Sequence, residues 1–268
     1  MPNSELQPRN LKMIVAYEGT NYAGFQRQKN GILTIQGVLE EAIAKFSGET
    51  VRVIGAGRTD AGVHAQGQAV NFLLNNRLPL DQIQRAVNHF LPADILVKSI
   101  AEVGPDFHAR RSAFSKTYSY RIFNSKLRPL FERNFVYHYQ YQLDLEPMET
   151  ALTLLLGKHD FRSFQAAGSA VKTTVRTINY CKIISTPPEI KIIINADGFL
   201  YHMARNIVGA LLLVGSNRIS LGKFVQIFEG ASRSAAVPTA PAQGLCLEEV
   251  IYQAGFFRNP GSNKTEDY

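Results

Sequence analysis

Strand-like and helix-like segments alternate along the first 105 residues in an order that few folds accommodate. Apolar residues spaced three and four apart predict helices over residues 35–46 and 79–90. Short apolar or alternating runs predict strands over residues 11–17, 51–54, 68–74 and 95–103. The resulting order, β-α-β-β-α-β, is that of the split, ferredoxin-like unit.

A similar order recurs in the second half of the chain. Strands are predicted over residues 113–123, 175–185, 190–195 and 245–252. Helices are predicted over residues 147–156 and 201–214, with an additional helix over 221–228. We therefore expect an α/β (α+β) protein of two ferredoxin-like lobes with mainly antiparallel sheets, the first spanning residues 1–105 and the second residues 106–268.

Basic side chains outnumber acidic ones, which favours an anionic partner. Lys and Arg total 29 against 22 Asp and Glu, for a formal net charge of +7. Such a balance fits nucleic acid, an acidic membrane surface or a phosphorylated metabolite. Because 45% of the residues are hydrophobic and 19% are charged, the composition excludes a wholly disordered chain and supports a packed core.

Cysteine usage and hydropathy bear on the compartment. Cys181 and Cys246 are far apart and in no CxxC pattern, so neither a disulfide framework nor a zinc site is indicated, as in a reducing cytosol. The N-terminal segment is polar and lacks the apolar core of a signal peptide. The longest apolar run, residues 207–214, is too short to cross a bilayer. We expect a soluble, cytoplasmic protein.

A glycine-rich stretch, GAGRTDAGVHAQGQ at residues 55–68, lies between two predicted strands. Glycines permit backbone conformations that other residues resist, and they let another chain come close. Such a loop can present Asp60 at the surface of a cleft, beside Arg58 and His64. A nearby cation favours the ionised carboxylate that a nucleophile requires, so the stretch is a candidate site for a catalytic aspartate.

Other interpretations of this stretch stay open. A tight hairpin loop in which Asp60 caps its own backbone has the same composition. A phosphate-binding loop fits less well, because GK[ST] and GxGxxG are absent and a strand follows. No cluster of His, Cys, Asp or Glu has metal-ligand spacing, and His64 is interpreted as a hydrogen-bonded loop residue rather than a base.

Five segments resemble the tRNA pseudouridine synthase A family, in the same order along the chain. GRTDAGVHA, residues 57–65, is similar to the family's active-site motif. The others are YEGTNYAGFQRQ (17–28), FHAR followed by KTYSYRI (107–110 and 116–122), FLYHMARNIVGALLLVG (199–215) and APAQGLCLEEVIY (240–252). The resemblance implies the pseudouridine synthase fold, with two lobes facing a central RNA-binding cleft, and an isomerase that uses no cofactor and no metal.

The resemblance also implies a role for each matching residue. Asp60 matches the nucleophile, and Arg205 matches the basic residue that pairs with it. Tyr118 matches the tyrosine that stacks on the target uracil and can shuttle a proton, and Leu245 matches the aliphatic residue that packs against both. Arg58 matches the arginine that fills the space left by the flipped nucleotide. The implied substrate is the anticodon stem-loop of tRNA, with uridines 38, 39 and 40 as targets, bound by a homodimer.

Residues 106–134 combine cations with aromatic rings. They include seven Lys or Arg, two acids and six Phe or Tyr. RNA binding requires cations for phosphates and aromatic rings for bases, although a solvated basic strand face has the same composition. We expect Arg110 and Arg111 in this segment to contact RNA.

Two other functions are compatible with parts of the sequence. A non-catalytic RNA-binding module or tRNA chaperone could use the same basic lobes, but it would not need Asp60, Tyr118 and Arg205 together. A nucleotide-dependent enzyme would need the phosphate-loop lysine that the glycine-rich stretch lacks.

Overall fold

The computed structural model describes residues 7–29, 31–168, 171–230 and 237–253. Within these ranges the chain forms ten β-strands and five α-helices. None of the helices in these ranges is long and apolar enough to cross a membrane.

The first part of the chain folds into a β-α-β-β-α-β unit. Its elements are β1 (Arg9–Tyr17), α1 (Ile35–Ser47), β2 (Ile54–Gly55), β3 (His64–Leu74), α2 (Leu80–Phe90) and β4 (Ile95–Val103). The strands lie in the order β4-β1-β3-β2, each antiparallel to its neighbour. Helix α1 begins where the Thr34 side chain accepts a hydrogen bond from the Gly37 amide, and it ends at Gly48, whose φ of 72° suits glycine.

The second part repeats this topology with additions. Its elements are β5 (Ala113–Asn124), β6 (Tyr137–Tyr139), α3 (Leu145–Thr153), β7 (Gly157–Asp160), β8 (Val175–Thr186), β9 (Glu189–Ala196), α4 (Met203–Gly215), α5 (Leu221–Glu229) and β10 (Leu245–Tyr252). The main strands lie in the order β10-β5-β9-β8 and are antiparallel. This is the order of the first unit, with β7 added beside β8, β6 beside β5, and α5 between α4 and β10.

A single ten-stranded sheet runs through both units, because β10 of the second pairs with β3 of the first. The pairing is parallel and short, and it joins Cys246 to His64 and Leu247 to Ala65. Strand β2 has only two residues and pairs further along β3, which leaves the start of β3 free for β10. The junction therefore begins four residues after Asp60.

One cluster of buried apolar side chains fills both units. Helices α1 and α2 pack against each other in the first unit, and α3 packs against α4 in the second. Helix α4 is buried on nearly all sides, which agrees with its almost continuous apolar sequence. A charged residue in this helix, Arg205, must therefore find a partner within the fold.

The predicted fold class is confirmed, and so are most predicted elements. Strands β4 and β10 have the predicted bounds, and β8 and β9 lie where strands were predicted and pair as a hairpin. The strand predicted over residues 51–54 is wrong for residues 51–53, because β2 contains only Ile54 and Gly55. The Val53 amide donates to the Glu40 carboxylate at 3.1 Å, and its carbonyl accepts from the Gln36 amide at 3.1 Å, so side chains of α1 replace a strand partner.

Other differences concern element bounds and two short strands. Strand β3 starts at His64, four residues earlier than predicted, so that residue lies in a strand and not in a loop. Helix α4 starts at Met203 because His202 has a left-handed φ of 60°. Strands β6 and β7 have three and four residues and carry too little pattern to be predicted. The lobe boundary at residue 105 stays a prediction; β4 ends at Val103 and β5 begins at Ala113.

Candidate active site

Asp60 lies in a loop of residues 56–63 that connects β2 to β3. The loop packs against the segment that follows β1. The Phe25 amide donates to the Thr59 carbonyl at 3.0 Å, and a Cβ at Gly24 would come within 2.7 Å of that same carbonyl oxygen. Within the loop, the Val63 amide closes a turn on the Asp60 carbonyl at 3.1 Å. The motif at residues 17–28 and the motif around Asp60 therefore pack against each other.

Two buried polar side chains hold this loop from the sheet beneath it. The Tyr17 hydroxyl bonds to the Thr59 hydroxyl at 2.8 Å, and the Gln68 amide donates to the Gly57 carbonyl at 2.9 Å. The oxygen of the Gln68 side-chain amide, Oε1, is buried and has no hydrogen-bond partner among the described residues. Because Tyr17 and Gln68 are anchored in β1 and β3, the backbone on both sides of Arg58 is fixed relative to the sheet.

The carboxylate of Asp60 forms an ion pair with Arg205 of α4, 145 residues away in the sequence. Arg205 Nη1 donates to Asp60 Oδ2 at 2.9 Å, and Arg205 Nε donates to the Ala240 carbonyl at 2.7 Å. The two side chains are 22% and 14% exposed, so the pair is mostly shielded from water yet open on one side. A charge-assisted bond of this kind holds the carboxylate beside a fixed positive charge.

His202 is a second neighbour of the same carboxylate oxygen, at 3.3 Å from Nε2 to Oδ2. It was not among the residues that the sequence singled out. It lies immediately before α4, in the segment that carries Arg205, but no pattern in the sequence predicts its left-handed backbone or its direction. A contact between two loops distant in the sequence can be found only from the fold.

Tyr118 points from β5 toward the Asp60 loop. Its ring is buried and meets Phe199 edge to face, with centroids 4.8 Å apart. Its hydroxyl lies 3.8 Å from the position that a Cβ at Gly57 would take, and it has no hydrogen-bond partner among the described residues. Burial raises the pKa of the Tyr118 hydroxyl, and nearby Tyr17 and Asp60 raise it further, so the hydroxyl stays protonated at neutral pH and can donate.

Leu245 and Arg58 are the remaining residues that the sequence indicated for this site. Leu245 is the first residue of β10 and is buried opposite Tyr120, which places it on the same face as Tyr118 and diagonal to that ring. Arg58 is exposed, and its Nε donates to the Gln26 side chain at 3.2 Å. Arg58 therefore has a guanidinium that is tethered at one nitrogen and faces solvent.

His64, which follows the Asp60 loop, connects it to residues 106–134, the basic segment. Its Nδ1 accepts from the Gly19 amide at 3.0 Å, and its Nε2 donates to the Asn134 carbonyl at 2.8 Å. Both ring nitrogens are occupied, so His64 is a structural link. Burial lowers the pKa of His64, which is consistent with a neutral ring.

The basic segment contributes fewer free charges than its composition suggests. Arg121 forms a two-fold ion pair with Glu189, at 2.8 and 2.7 Å, and its charge is neutralised within the fold. Arg110 and Arg111 are exposed, and their side chains have no hydrogen-bond partner among the described residues. These two arginines precede β5, the strand that carries Tyr118.

No group of three or more His, Cys, Asp or Glu side chains within the described ranges is arranged to hold a metal ion. Both cysteines, on β8 and β10, are free thiols.

Comparisons with known proteins point in one direction. A family model described as tRNA pseudouridine synthase matches residues 13–110 and 151–253. The chain is 46% identical over 244 residues to the tRNA pseudouridine synthase A of Acetivibrio thermocellus, covering 91% of this chain and 100% of that protein. It is 45% identical, over the same shares, to tRNA pseudouridine synthase A 2 of Clostridium perfringens.

A solved structure, a Cbf5-Nop10-Gar1 complex, has a chain that matches 75% of this one and 53% of its own length. The TM-score is 0.35 and the sequence identity 10%, which is too weak a likeness to support an argument.

Proposed function

This chain belongs to the tRNA pseudouridine synthase family, and on that premise we propose that it isomerises uridine to pseudouridine in tRNA, with Asp60 as the nucleophile. The observation that supports the assignment most is the Asp60–Arg205 ion pair, 2.9 Å long, in the loop that the Tyr118 hydroxyl approaches at Gly57. A binding surface would need neither a partly shielded carboxylate in a basic protein nor its pairing with an arginine of a buried helix.

The reaction breaks the bond between uracil N1 and ribose C1′, turns the base and joins C5 to C1′. The proton on C5 is lost and N1 gains one, so substrate and product contain the same atoms. An ionised carboxylate is a nucleophile that can form and release a covalent bond during such a rearrangement. Attack by Asp60 at C6 of the base and a glycal route through C1′ both fit this group.

The other side chains supply binding and orientation. The target base must leave its stack, which costs a few kcal/mol. Stacking on an aromatic ring such as Tyr118 returns roughly 1 to 3 kcal/mol. The tethered, exposed guanidinium of Arg58 can occupy the vacated space, and Leu245 can pack against the base. Arg205 holds Asp60, and the protonated hydroxyl of Tyr118 can donate to a carbonyl or nitrogen of the uracil.

We propose the anticodon stem-loop as the part of tRNA that is bound, with uridines 38, 39 and 40 as targets. The exposed Arg110 and Arg111 lie next to the Tyr118 strand, where phosphates near the target would pass. A homodimer in which one tRNA touches both subunits is proposed from the family alone. A cytoplasmic location is proposed as well, and the free thiols of Cys181 and Cys246 agree with a reducing compartment.

Loss of the C5 hydrogen gives a direct assay of the proposed function. We expect purified protein to release tritium from a tRNA transcript labelled at C5 of uridine, and to do so in excess EDTA, because the isomerisation is redox-neutral. The same transcript with cytidine at positions 38, 39 and 40 is the matched control and should release none. Absence of release from the uridine transcript would contradict the function. Release that stops with EDTA and returns with zinc would contradict a metal-free reaction.

Binding should depend steeply on salt, because arginine side chains displace counterions from phosphates. We expect the logarithm of tRNA affinity to fall linearly with the logarithm of salt concentration, by about 0.7 to 0.9 per phosphate contact. Replacing both Arg110 and Arg111 by Ala should flatten the slope by about 1.4 to 1.8, if each makes one contact. Lys158→Ala with Lys223→Ala removes two exposed charges elsewhere and should leave the slope unchanged. An equal slope for both double variants would exclude Arg110 and Arg111 from the RNA contact.

A further inference from the structure

The two oxygens of the Asp60 carboxylate have different surroundings. Oδ2 receives Arg205 Nη1 at 2.9 Å and lies 3.3 Å from His202 Nε2. Oδ1 accepts no hydrogen bond from any residue that the structure describes. Arg205 therefore holds the carboxylate through Oδ2, and the His202 ring lies close to the same oxygen. The oxygen without a partner is therefore the one available to a substrate.

His202 has an unusual backbone for a residue at the start of a helix. Its φ is 60°, in the left-handed region, where residues other than glycine cost roughly 1 to 3 kcal/mol. A residue in this place normally bonds its side chain to the first free amides of the helix, but His202 makes no such bond. Its ring instead lies against Tyr201, with centroids 4.0 Å apart, and points at Asp60. The strained backbone thus brings Nε2 close to the carboxylate.

The protonation of His202 follows from its neighbours. An ionised carboxylate only accepts hydrogen bonds, so a bond from His202 to Asp60 requires the proton on Nε2. Burial lowers the pKa of His202, the charge on Arg205 lowers it as well, and Asp60 opposes them. The ring is therefore neutral at neutral pH. A neutral ring can lie beside the carboxylate without adding a second full positive charge, which would weaken it as a nucleophile.

We propose that His202 is a positioning residue that, together with Arg205, holds Asp60 through Oδ2 and leaves Oδ1 as the oxygen that attacks the substrate. His202 and Arg205 are three residues apart, at the last position before α4 and in its first turn, so one helix end brings both side chains to Asp60. Arg205 is itself fixed by the Ala240 carbonyl. The inference rests on the proposed function, since it assigns the atoms of the same site.

Two variants of His202, with a control at another histidine, distinguish the role of its side chain from that of its backbone conformation. His202→Asn keeps a residue that tolerates the left-handed conformation but is too short to reach Asp60. His202→Gln places an amide N–H near the position of Nε2. His159→Asn, in which the replaced ring bonds to the Leu156 carbonyl away from Asp60, is the matched control. The readouts are the single-turnover rate of pseudouridine formation at saturating enzyme, the tRNA affinity and the midpoint of thermal unfolding.

We expect His202→Asn to slow the single-turnover rate by about 10- to 100-fold, as for a misplaced reacting group, with tRNA affinity and unfolding midpoint close to wild type. His202→Gln should regain most of the rate, and His159→Asn should match the wild type. A wild-type rate for His202→Asn would overturn the inference, as would equal losses in the Asn and Gln variants with normal unfolding. Absence of activity in the wild type itself would instead contradict the proposed function.

Discussion

Replacing Asp60 by Asn is expected to abolish pseudouridine formation while leaving tRNA affinity and folding nearly intact. The amide has almost the shape of the carboxylate, and its oxygen can still accept from Arg205. It cannot act as a carboxylate nucleophile, so the rate should fall on the order of 10⁴-fold or more. Since Asp60 is negative, its loss cannot weaken attraction to phosphate. The measurements are pseudouridine yield after long incubation and tRNA affinity at fixed salt.

The protein offers a matched control for this substitution. Asp81 of α2 forms an ion pair with Arg85 at 2.7 Å, on the exposed surface and away from the glycine-rich loop. Asp81→Asn should retain the wild-type rate. If Asp60→Asn also retains near-normal yield, the nucleophile assignment is wrong. If it loses tRNA binding and activity together while still folded, Asp60 is an organiser of the RNA site and not its nucleophile.

Gly209→Ala should both destabilise the protein and inactivate it. Gly209 lies in α4 against the segment of residues 237–240, and a Cβ there would overlap the Pro238 carbonyl oxygen. Because both partners are backbone, one of them must move. Such overpacking costs about 1 to 3 kcal/mol. The displaced segment includes Ala240, whose carbonyl fixes Arg205, so the ion pair with Asp60 should be disturbed as well.

The control for this change is a second helical glycine in open space. A Cβ at Gly222 in α5 would have only the Ser220 hydroxyl within 4 Å, at 3.9 Å. Gly222→Ala should therefore stabilise the protein by up to about 1 kcal/mol and keep full activity. The midpoint of thermal unfolding and the tritium-release rate of both variants test these expected effects on stability and activity. A Gly209→Ala protein with the wild-type midpoint and rate would show that the 237–240 segment does not support Arg205.

The fold could be predicted where the sequence signal is local. Long periodic segments predicted the order of strands and helices along both units. The strand order that the two sheets share, β4-β1-β3-β2 in the first unit and β10-β5-β9-β8 in the second, agrees with the predicted ferredoxin-like class. The pairing of β10 with β3 could not be predicted, because it consists of only two residue pairs and the two strands lie far apart in the sequence. The prediction of a strand at residues 51–53 is wrong for a different reason. Their apolar pattern is that of a strand, but Glu40 and Gln36 provide the hydrogen bonds that a strand would need.

The candidate site shows the same division. Glycines around Asp60 marked the loop from the sequence, and the family resemblance indicated Arg205 and Tyr118. The structure places Arg205 against Asp60, and it places the Tyr118 hydroxyl near the same loop. His202 was missed because its contact depends on a backbone conformation that nothing in its sequence neighbourhood predicts. The catalytic and binding roles of these residues remain predictions.

Site-resolved mapping of pseudouridine tests the central claim most directly. Unmodified tRNA transcripts carrying uridine at positions 38, 39 and 40 would be incubated with the purified protein. Because the two isomers have the same mass, each uridine of the product would be assigned by mass mapping after a carbodiimide treatment that labels pseudouridine. We predict pseudouridine at one or more of these three positions and at no other, and none with the Asp60→Asn protein. Pseudouridine confined to another part of the tRNA, or a complete absence of pseudouridine with folded, tRNA-binding protein, would contradict the account.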